Sequence, residues 1–278
     1  MIDEIRAWDI EVRDQVIDLV RACREVDGHS PLDEAAVLRL KNRGLTGSRL
    51  WLADRAGFAL LHDGGLELAV APEHRGSGLG TALASAAVEE ARTAWSHGDH
   101  PAAAALAQRF GFARARELWV MRRPVGAEPA LSGEIGIRAY TDADRDELLR
   151  VNAEAFASHP EQGAMDADNL AERMSEPWFD PAGLLVVADG ERMLGFHWTK
   201  QHSPEVGEVY VVGTDPAAQG RGLGKALTIA GLRHLAGVLD ADGEVILYVE
   251  SDNTPARRLY ESLGFTHVAA DTHVQYRR

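Results

Sequence analysis

The chain has 278 residues, with 29 Lys and Arg against 43 Asp and Glu, a formal charge of −14 at pH 7 and 45% apolar residues. That is ordinary globular composition, long enough for two domains at roughly 100–200 residues each. So acidic a chain is a poor general binder of nucleic acid or anionic membrane, and its single cysteine, Cys23, excludes an internal disulfide or a multi-cysteine metal site.

In chain order, the opening MIDEIRAWDIEVRDQVIDLV carries charges throughout and lacks the apolar core of a signal peptide. No later run approaches the roughly 18 apolar residues of a membrane span. The expectation is a cytoplasmic monomer without a membrane or nucleic-acid partner. Residues 72–83, PEHRGSGLGTAL, return as PAAQGRGLGKAL at 216–227, an offset of 144 with seven of twelve positions identical. A second echo, Gly111-Phe112 and Gly264-Phe265, has an offset of 153. A period this long predicts two copies of one domain rather than a solenoid. The Pro-, Gly- and Ala-containing stretch between them reads as a linker, so the expected boundaries are 1–125, a linker at 126–133, and 134–278.

The second copy reads as a strand at 134–140, a helix at 142–155, and paired strands at 183–189 and 193–200. A strand at 207–213 and a helix at 222–237 opened by glycines follow. An apolar strand at 244–250, a helix at 255–263 stopped by Gly264, and a last strand at 267–277 complete it. The first copy fits the same order, except that its counterpart to the strand at 244–250 is obscure, with only AWSHGDHPA in that place. Alternating strands and helices predict a mixed α/β layer fold.

The loop Gln219-Gly220-Arg221-Gly222-Leu223-Gly224 lies between an apolar strand and an amphipathic helix. Glycines permit positive φ, and the free N–H groups of a helix start then converge on an anion. Arg221 and Lys225 add positive charge, as Arg75 does in the first copy. The Gly-Lys-Ser/Thr of a Walker loop is absent, the glycine spacing is not that of a Rossmann fingerprint, and a short glycine pattern is a weak signal by itself.

The wider constellation is more specific. The loop is followed about 30 residues later by an apolar strand and by Asn253, Ala256, Tyr260 and Gly264-Phe265. This arrangement resembles the GNAT superfamily of acyl-CoA-dependent N-acyltransferases, and both halves carry it. The resemblance implies two tandem GNAT folds, each a mixed, mostly antiparallel sheet flanked by helices, with acetyl-CoA as co-substrate and no metal. It implies cofactor contacts at Val212, Gly213 and Thr214 of the strand and at Gln219, Gly220, Arg221, Gly222, Leu223, Gly224 and Lys225 of the loop. Further contacts are implied at Asn253, Pro255, Ala256, Arg257 and Arg258. In the first copy the matching positions are Leu68, Ala69, Val70, Gly76, Ser77, Gly78, Leu79, Gly80 and Thr81.

The blocks NAEAFASHPEQG (152–163), WFDPAGL (178–184), GFHWTK (195–200) and LYVESDN (247–253) narrow the resemblance. They match a tandem branch of the superfamily that acetylates the cysteinyl amine of a small thiol pseudodisaccharide, Cys-GlcN-inositol. The acceptor residues so implied are Glu34, Glu161, Lys200, Glu208 and Tyr248. Amide formation needs a base for the amine and benefits from an acid for the departing thiolate. Glu208, just before the loop, suits the first role and Tyr260, in the late helix, the second. At the same offsets the first copy has Gly64 for Glu208, Ala107 for Tyr260 and His100 for Asn253, so it is expected to be a degenerate, non-catalytic partner. Glu67 is a rival base there, but strand alternation turns it to the opposite face. The competing readings are a GNAT enzyme for a peptide N-terminus, polyamine or aminoglycoside, and a non-catalytic acyl-CoA sensor.

Overall fold

The computed structural model describes residues 1–126, 135–157 and 162–278. The expected linker, apart from Gly126, and Glu161 fall outside these residues. The elements are β1 (Asp3–Ile5), α1 (Ile10–Asp27), α2 (Glu34–Arg43), β2 (Ser48–Ala53), β3 (Gly57–His62), β4 (Gly65–Val70), α3 (Leu79–Ala87), β5 (Thr93–Ser96), α4 (Pro101–Arg109) and β6 (Ala113–Pro124). There follow β7 (Ile137–Ala139), α5 (Arg145–Ala155), α6 (Ala167–Met174), β8 (Leu184–Asp189), β9 (Arg192–Gln201), β10 (Val206–Thr214), α7 (Leu223–Val238), β11 (Glu244–Glu250), α8 (Thr254–Ser262) and β12 (Thr266–Arg277). Most helix starts follow local chemistry. Asp9 accepts from the Val12 amide, Asp33 from Ala36, Asp166 from Asn169 and Asn253 from Ala256, each meeting an amide that the helix leaves without an internal partner.

The chain divides into two compact units whose ends are exchanged relative to the sequence halves. One comprises residues 1–119, 250–252 and 268–278, the other 120–249 and 253–267. Strands in the first unit run β1-β2-β3-β4-β5-β12, so the last strand of the chain completes the sheet of the first half. Val274 to Arg277 pair antiparallel with Ser96 to Thr93. The obscure strand of the first copy is thus β5, only four residues long, and its free edge is covered by a strand remote in sequence. The second unit runs β6-β11-β10-β9-β8-β7.

In each unit one sheet face packs on the two early helices and the other on the helix after the glycine loop. Leu50, Leu52, Phe58, Leu60 and Ala69 pack with Val16, Leu19 and Leu40 of α1 and α2. Ala59, Leu61 and Leu66 pack with Leu83 and Ala87 of α3. The second unit repeats this with Phe196, Trp198 and Val211 against Leu148 and Leu170, and with Leu194 against Leu223 and Leu227.

One buried pair shows how a large side chain in one copy goes with a glycine facing it. Strand pairing sets Gly57 opposite Val70 and Gly195 opposite Thr214, so Ala59 corresponds to His197. The 144 offset matches Ala87 to Gly231. In the first unit both positions are buried alanines. In the second, the His197 ring occupies the space of a Cβ at Gly231, which would lie 2.0 Å from His197 Cε1. The His197 Nδ1–Leu227 carbonyl contact of 2.8 Å holds the ring there, and burial pushes its pKa down to about 4.

Candidate active site

Two strands that pair and then part create the site in each unit. β10 runs parallel to β11 only from Val206–Glu244 to Val209–Leu247. Beyond that point β10 remains hydrogen-bonded to β9 on its other side as far as Thr214–Gly195. Half of the polar backbone groups of residues 211–214 therefore face the gap and need a partner. In the first unit β4 pairs with β5 only at Gly65–Thr93 and Leu66–Ala94, and the gap runs along Leu68, Ala69 and Val70. These are the strand residues expected to meet the pantetheine arm.

At the end of each gap lies the glycine loop. Gly220 and Gly222 have φ of 77° and 74°, and Gly76 and Gly78 have 75° and 88°. These values are left-handed, and a Cβ at any of the four would meet nothing within 4 Å. Backbone conformation, not crowding by the protein, is what requires glycine here. Gly222 and Gly78 are the N-caps of α7 and α3, and neither helix start has a side-chain cap. The first amides of Leu223, Gly224 and Lys225, and of Leu79, Gly80 and Thr81, are left for an anion. This fits a pyrophosphate. The stretch before the second loop is anchored by Asp215, 1% exposed, which binds Ala217 N at 2.8 Å, Arg192 at 2.9 Å and Arg150 at 3.1 Å. Its carboxyl is held below the usual range by the Ala217 amide first and then by the arginines.

The two loops differ in their cations. Arg75 forms a bidentate pair with Asp27, both contacts at 2.7 Å, and also donates to the Val70 carbonyl. The expectation that Arg75 offers a charge to an anion is corrected. Asp27 already neutralises it, and it ties the loop to α1.

Glu208 is buried, 5% exposed, on the face shared with Trp198 and Tyr210. It stands opposite Lys200 in the β9–β10 register. Its Oε2 lies 2.6 Å from Nε2 of His202, a residue that the sequence reading missed. The only clue was its place in the β9–β10 hairpin, where the His202 amide donates to the Val206 carbonyl. Lys200 is 9% exposed, with Nζ 4.5 Å from the Trp178 ring centroid and 5.1 Å from that of Tyr210. Tyr210 also bonds Arg173 of α6 through its hydroxyl and packs edge-on against Trp178 and Trp198. The result is one wall of edge-on and tilted rings beside the carboxyl of Glu208 and the amino group of Lys200.

Tyr210 has a further consequence. The register moves by one residue between Val209 and Val211, so Tyr210 is the extra residue of a β-bulge. β4 has no such shift. The structural counterpart of Glu208 is therefore Gly65, not Gly64, as His62–Gly65 and Lys200–Glu208 are matching pairs. The bulge also restores the face of Val211 to that of Glu208. Glu67, opposite Leu60 as Val211 is opposite Trp198, consequently lies on the face that corresponds to that of Glu208. The expectation that alternation turns Glu67 away is overturned, because alternation counts fail across a bulge.

Other implied residues are dispersed. Tyr260 lies on α8, its ring edge-on to Phe265 at 5.9 Å, and burial pushes its phenol up to about 12. Asn253 caps α8 through its side-chain oxygen, as His100 caps α4, which confirms the 153 offset locally. Its oxygen is thus engaged by the fold. Pro255 and Ala256 form the first turn of α8, and Arg257 and Arg258 follow on it. Tyr248 on β11 is 41% exposed. Glu34 begins α2 in the first unit. Among the described residues no group of His, Cys, Asp or Glu is arranged to hold a metal, and no helix is long and apolar enough to cross a membrane.

Comparison with known proteins agrees with this geometry. The model described as "Acetyltransferase (GNAT) family" matches residues 147–265, and an "Acetyltransferase (GNAT) domain" matches 46–114. The mycothiol acetyltransferase of Nocardioides sp. is 55% identical over 95% of this chain and 96% of its own length. That of Actinosynnema mirum is 47% identical over 97% of each. Among solved structures, a GCN5-related N-acetyltransferase from Sphaerobacter thermophilus superposes with a TM-score of 0.70 at 22% identity, covering 100% of this chain and 95% of its own. A tandem GNAT protein from the clavulanic acid biosynthesis pathway gives 0.71 at 17% identity, covering 99% and 98%. These two establish likeness of fold. With identity near one half along the whole length of its relatives, the chain belongs to the mycothiol acetyltransferase family, tandem members of the GNAT acetyltransferases.

Proposed function

We propose that this protein transfers acetyl from acetyl-CoA to the cysteinyl amine of Cys-GlcN-inositol, giving mycothiol, in the cytoplasm and by direct attack without an acyl-enzyme. The observation that carries the reading is the buried carboxylate of Glu208, on the ring-lined face where β10 leaves β11. The co-substrate supplies an activated acetyl thioester and a thiolate leaving group. Val212, Gly213 and Thr214 offer it backbone partners along the gap, and the amides at the start of α7, with Arg221 and Lys225, hold its pyrophosphate.

Glu208 accepts the proton of the attacking amine. His202 at 2.6 Å, its side chain 28% exposed, passes that proton toward solvent. Tyr260, with its phenol pushed up to about 12, keeps its proton at neutral pH and has it to give to the sulfur. Lys200 and Tyr210 hold the hydroxyls of the acceptor, together with Tyr248 and Glu161. Glu34 is a further acceptor contact. The first unit binds a second acetyl-CoA at Leu68 to Val70 and Gly76 to Thr81.

The test mixes purified protein, acetyl-CoA and Cys-GlcN-inositol and follows CoA release. Turnover with this acceptor and none with a peptide, polyamine or aminoglycoside supports the reading. Turnover with one of those instead, or with none at all, removes it.

A further inference from the structure

Glu208 and Lys200 stand directly opposite each other in the β9–β10 register, and both are buried. Opposite charges in such cross-strand positions ordinarily pair. Here each is turned to another neighbour. The Glu208 carboxylate meets Nε2 of His202 at 2.6 Å. Lys200 Nζ lies 4.5 Å from the ring centroid of Trp178 and 5.1 Å from that of Tyr210, within the roughly 6 Å over which a ring face attracts a cation.

The rings are fixed where this requires. Trp178 lies between α6 and β8, outside the two strands that carry the charges. It packs at 5.9 Å on Trp198, which is fully buried, and at 5.1 Å on Tyr210. Its loop is closed by the Phe179 amide on the Glu176 carbonyl at 3.0 Å, by the Ala182 amide on Asp180 at 2.9 Å, and by the Thr199 hydroxyl on the Gly183 carbonyl at 2.9 Å. Tyr210 is the extra residue of the bulge, and Arg173 of α6 donates to its hydroxyl.

The separation has a chemical consequence. A direct pair with lysine would favour the anionic carboxylate and weaken its hold on the proton of an attacking amine. It would also commit the lysine to that carboxylate through charge-assisted hydrogen bonds. An aromatic face attracts the same cation through its quadrupole and asks for no hydrogen bond.

We propose that Trp178 is a positioning residue for acetyl transfer: its ring, with that of Tyr210, draws Lys200 off Glu208, which leaves the carboxylate to take the amine proton and the lysine to meet the acceptor. This rests on the reading of Glu208 as base and Lys200 as acceptor contact. The other titratable and charged groups around this face are His202 of β9, Tyr210 of β10, Arg173 of α6, and Glu244 and Tyr248 of β11, which flank Ile246, the strand partner of Glu208.

The experiment uses the full chain with acetyl-CoA and Cys-GlcN-inositol, and measures kcat/KM for the acceptor against pH. The acid limb of the profile is expected to vanish from the residual rate of Glu208→Gln, which assigns it to that carboxyl. Trp178→Leu is expected to move the limb to lower pH and to lower kcat/KM for the acceptor by about tenfold, with the KM for acetyl-CoA unchanged. Trp178→Phe, which keeps a ring face, restores most of the rate. With Lys200→Met already in place, Trp178→Leu moves the limb no further. A readout that does not depend on how the leucine variant folds comes from the wild-type chain. Its lysines are Lys41, Lys200 and Lys225, so carbon-13 labelling of the lysine ε-methylene gives one resonance for each. The Lys200 resonance, identified by its loss in Lys200→Met, is expected upfield of the other two through the ring currents above it. No turnover of this acceptor by the wild-type chain, or an acid limb that survives Glu208→Gln, overturns the functional reading and the proposal with it. A limb unmoved by Trp178→Leu, a limb moved equally without Lys200, or a Lys200 resonance beside the other two overturns the proposal alone.

Discussion

The two units share a sheet order, a pair of early helices and a glycine loop, yet they spend their buried polar groups differently. In the second unit the carboxylate of Glu208 meets His202 at 2.6 Å, and a bulge follows at Tyr210, whose ring packs with Trp178 and Trp198. In the first unit the matching position is Gly65, the strand is regular, and the polar groups have moved to a line of His97, His273 and His29 ending on Asp271. A duplicated fold therefore keeps the left-handed glycine loop and the helix start without a side-chain cap, because these depend on local conformation, and changes what sits beside them. The same freedom appears in the core, where the buried Ala59 and Ala87 of the first unit stand at the positions of His197 and Gly231 in the second, and the absent Cβ at Gly231 makes room for the larger ring.

The comparison can be tested hardest at Glu208. Glu208→Gln is expected to lower kcat by about 10²-fold or more, the scale of general-base loss, with the KM for acetyl-CoA little changed. Steady-state kinetics with Cys-GlcN-inositol checks this, and a full-rate variant would erase the difference between the units.

Next in size is the core exchange. Gly231→Ala drives a Cβ to 2.0 Å from the His197 ring and should cost about 1–3 kcal/mol as overpacking. Adding His197→Ala copies the first unit and should recover much of the loss. Denaturant unfolding of the single and double variants reads this, and strict additivity would mean that the two residues do not compensate.

Third, Gly222→Val forces a β-branched residue into the left-handed region, at a cost of about 1–3 kcal/mol where that conformation is kept. It should raise the KM for acetyl-CoA in mycothiol formation, and Gly78→Val should leave that KM alone while removing one binding site in calorimetry. Equal effects of the two on KM would show that the loops are not separate sites.

The smallest effect is on stability against pH. His197 and His97 are both held neutral, with folded values near 4 below the ordinary 6.5. The unfolded chain then binds more protons between those values, so stability is complete above pH 6.5 and falls as pH drops toward 4. The His197→Ala/Gly231→Ala variant should show a shallower fall, measured as the pH dependence of the denaturation midpoint. An unchanged slope would take His197 out of this account.

Much of the chemistry was legible along the chain because it is local. Left-handed glycines followed by a helix start without a side-chain cap leave backbone amides unengaged by the helix, and Gly222 and Gly78 both stand at such a start, as the 144 offset implied. The strand carrying Glu208 and the helix carrying Tyr260 follow from spacing in the same way, whereas the helix caps at Asn253 and His100 emerge only in the structure. What tertiary structure alone decided lies where residues far apart meet or where counting breaks. The bulge at Tyr210 breaks the alternation count in β10, so that Glu67, on the regular β4, lies on the face that corresponds to that of Glu208. Arg75, read as free charge, is spent on Asp27. Above all, the last strand of the chain closes the first sheet, and it brings Asp271 and His273 to His29 and His97. No periodicity encodes that meeting, because β12 finds its place through the unpaired edge of a four-residue strand that only the folded sheet presents.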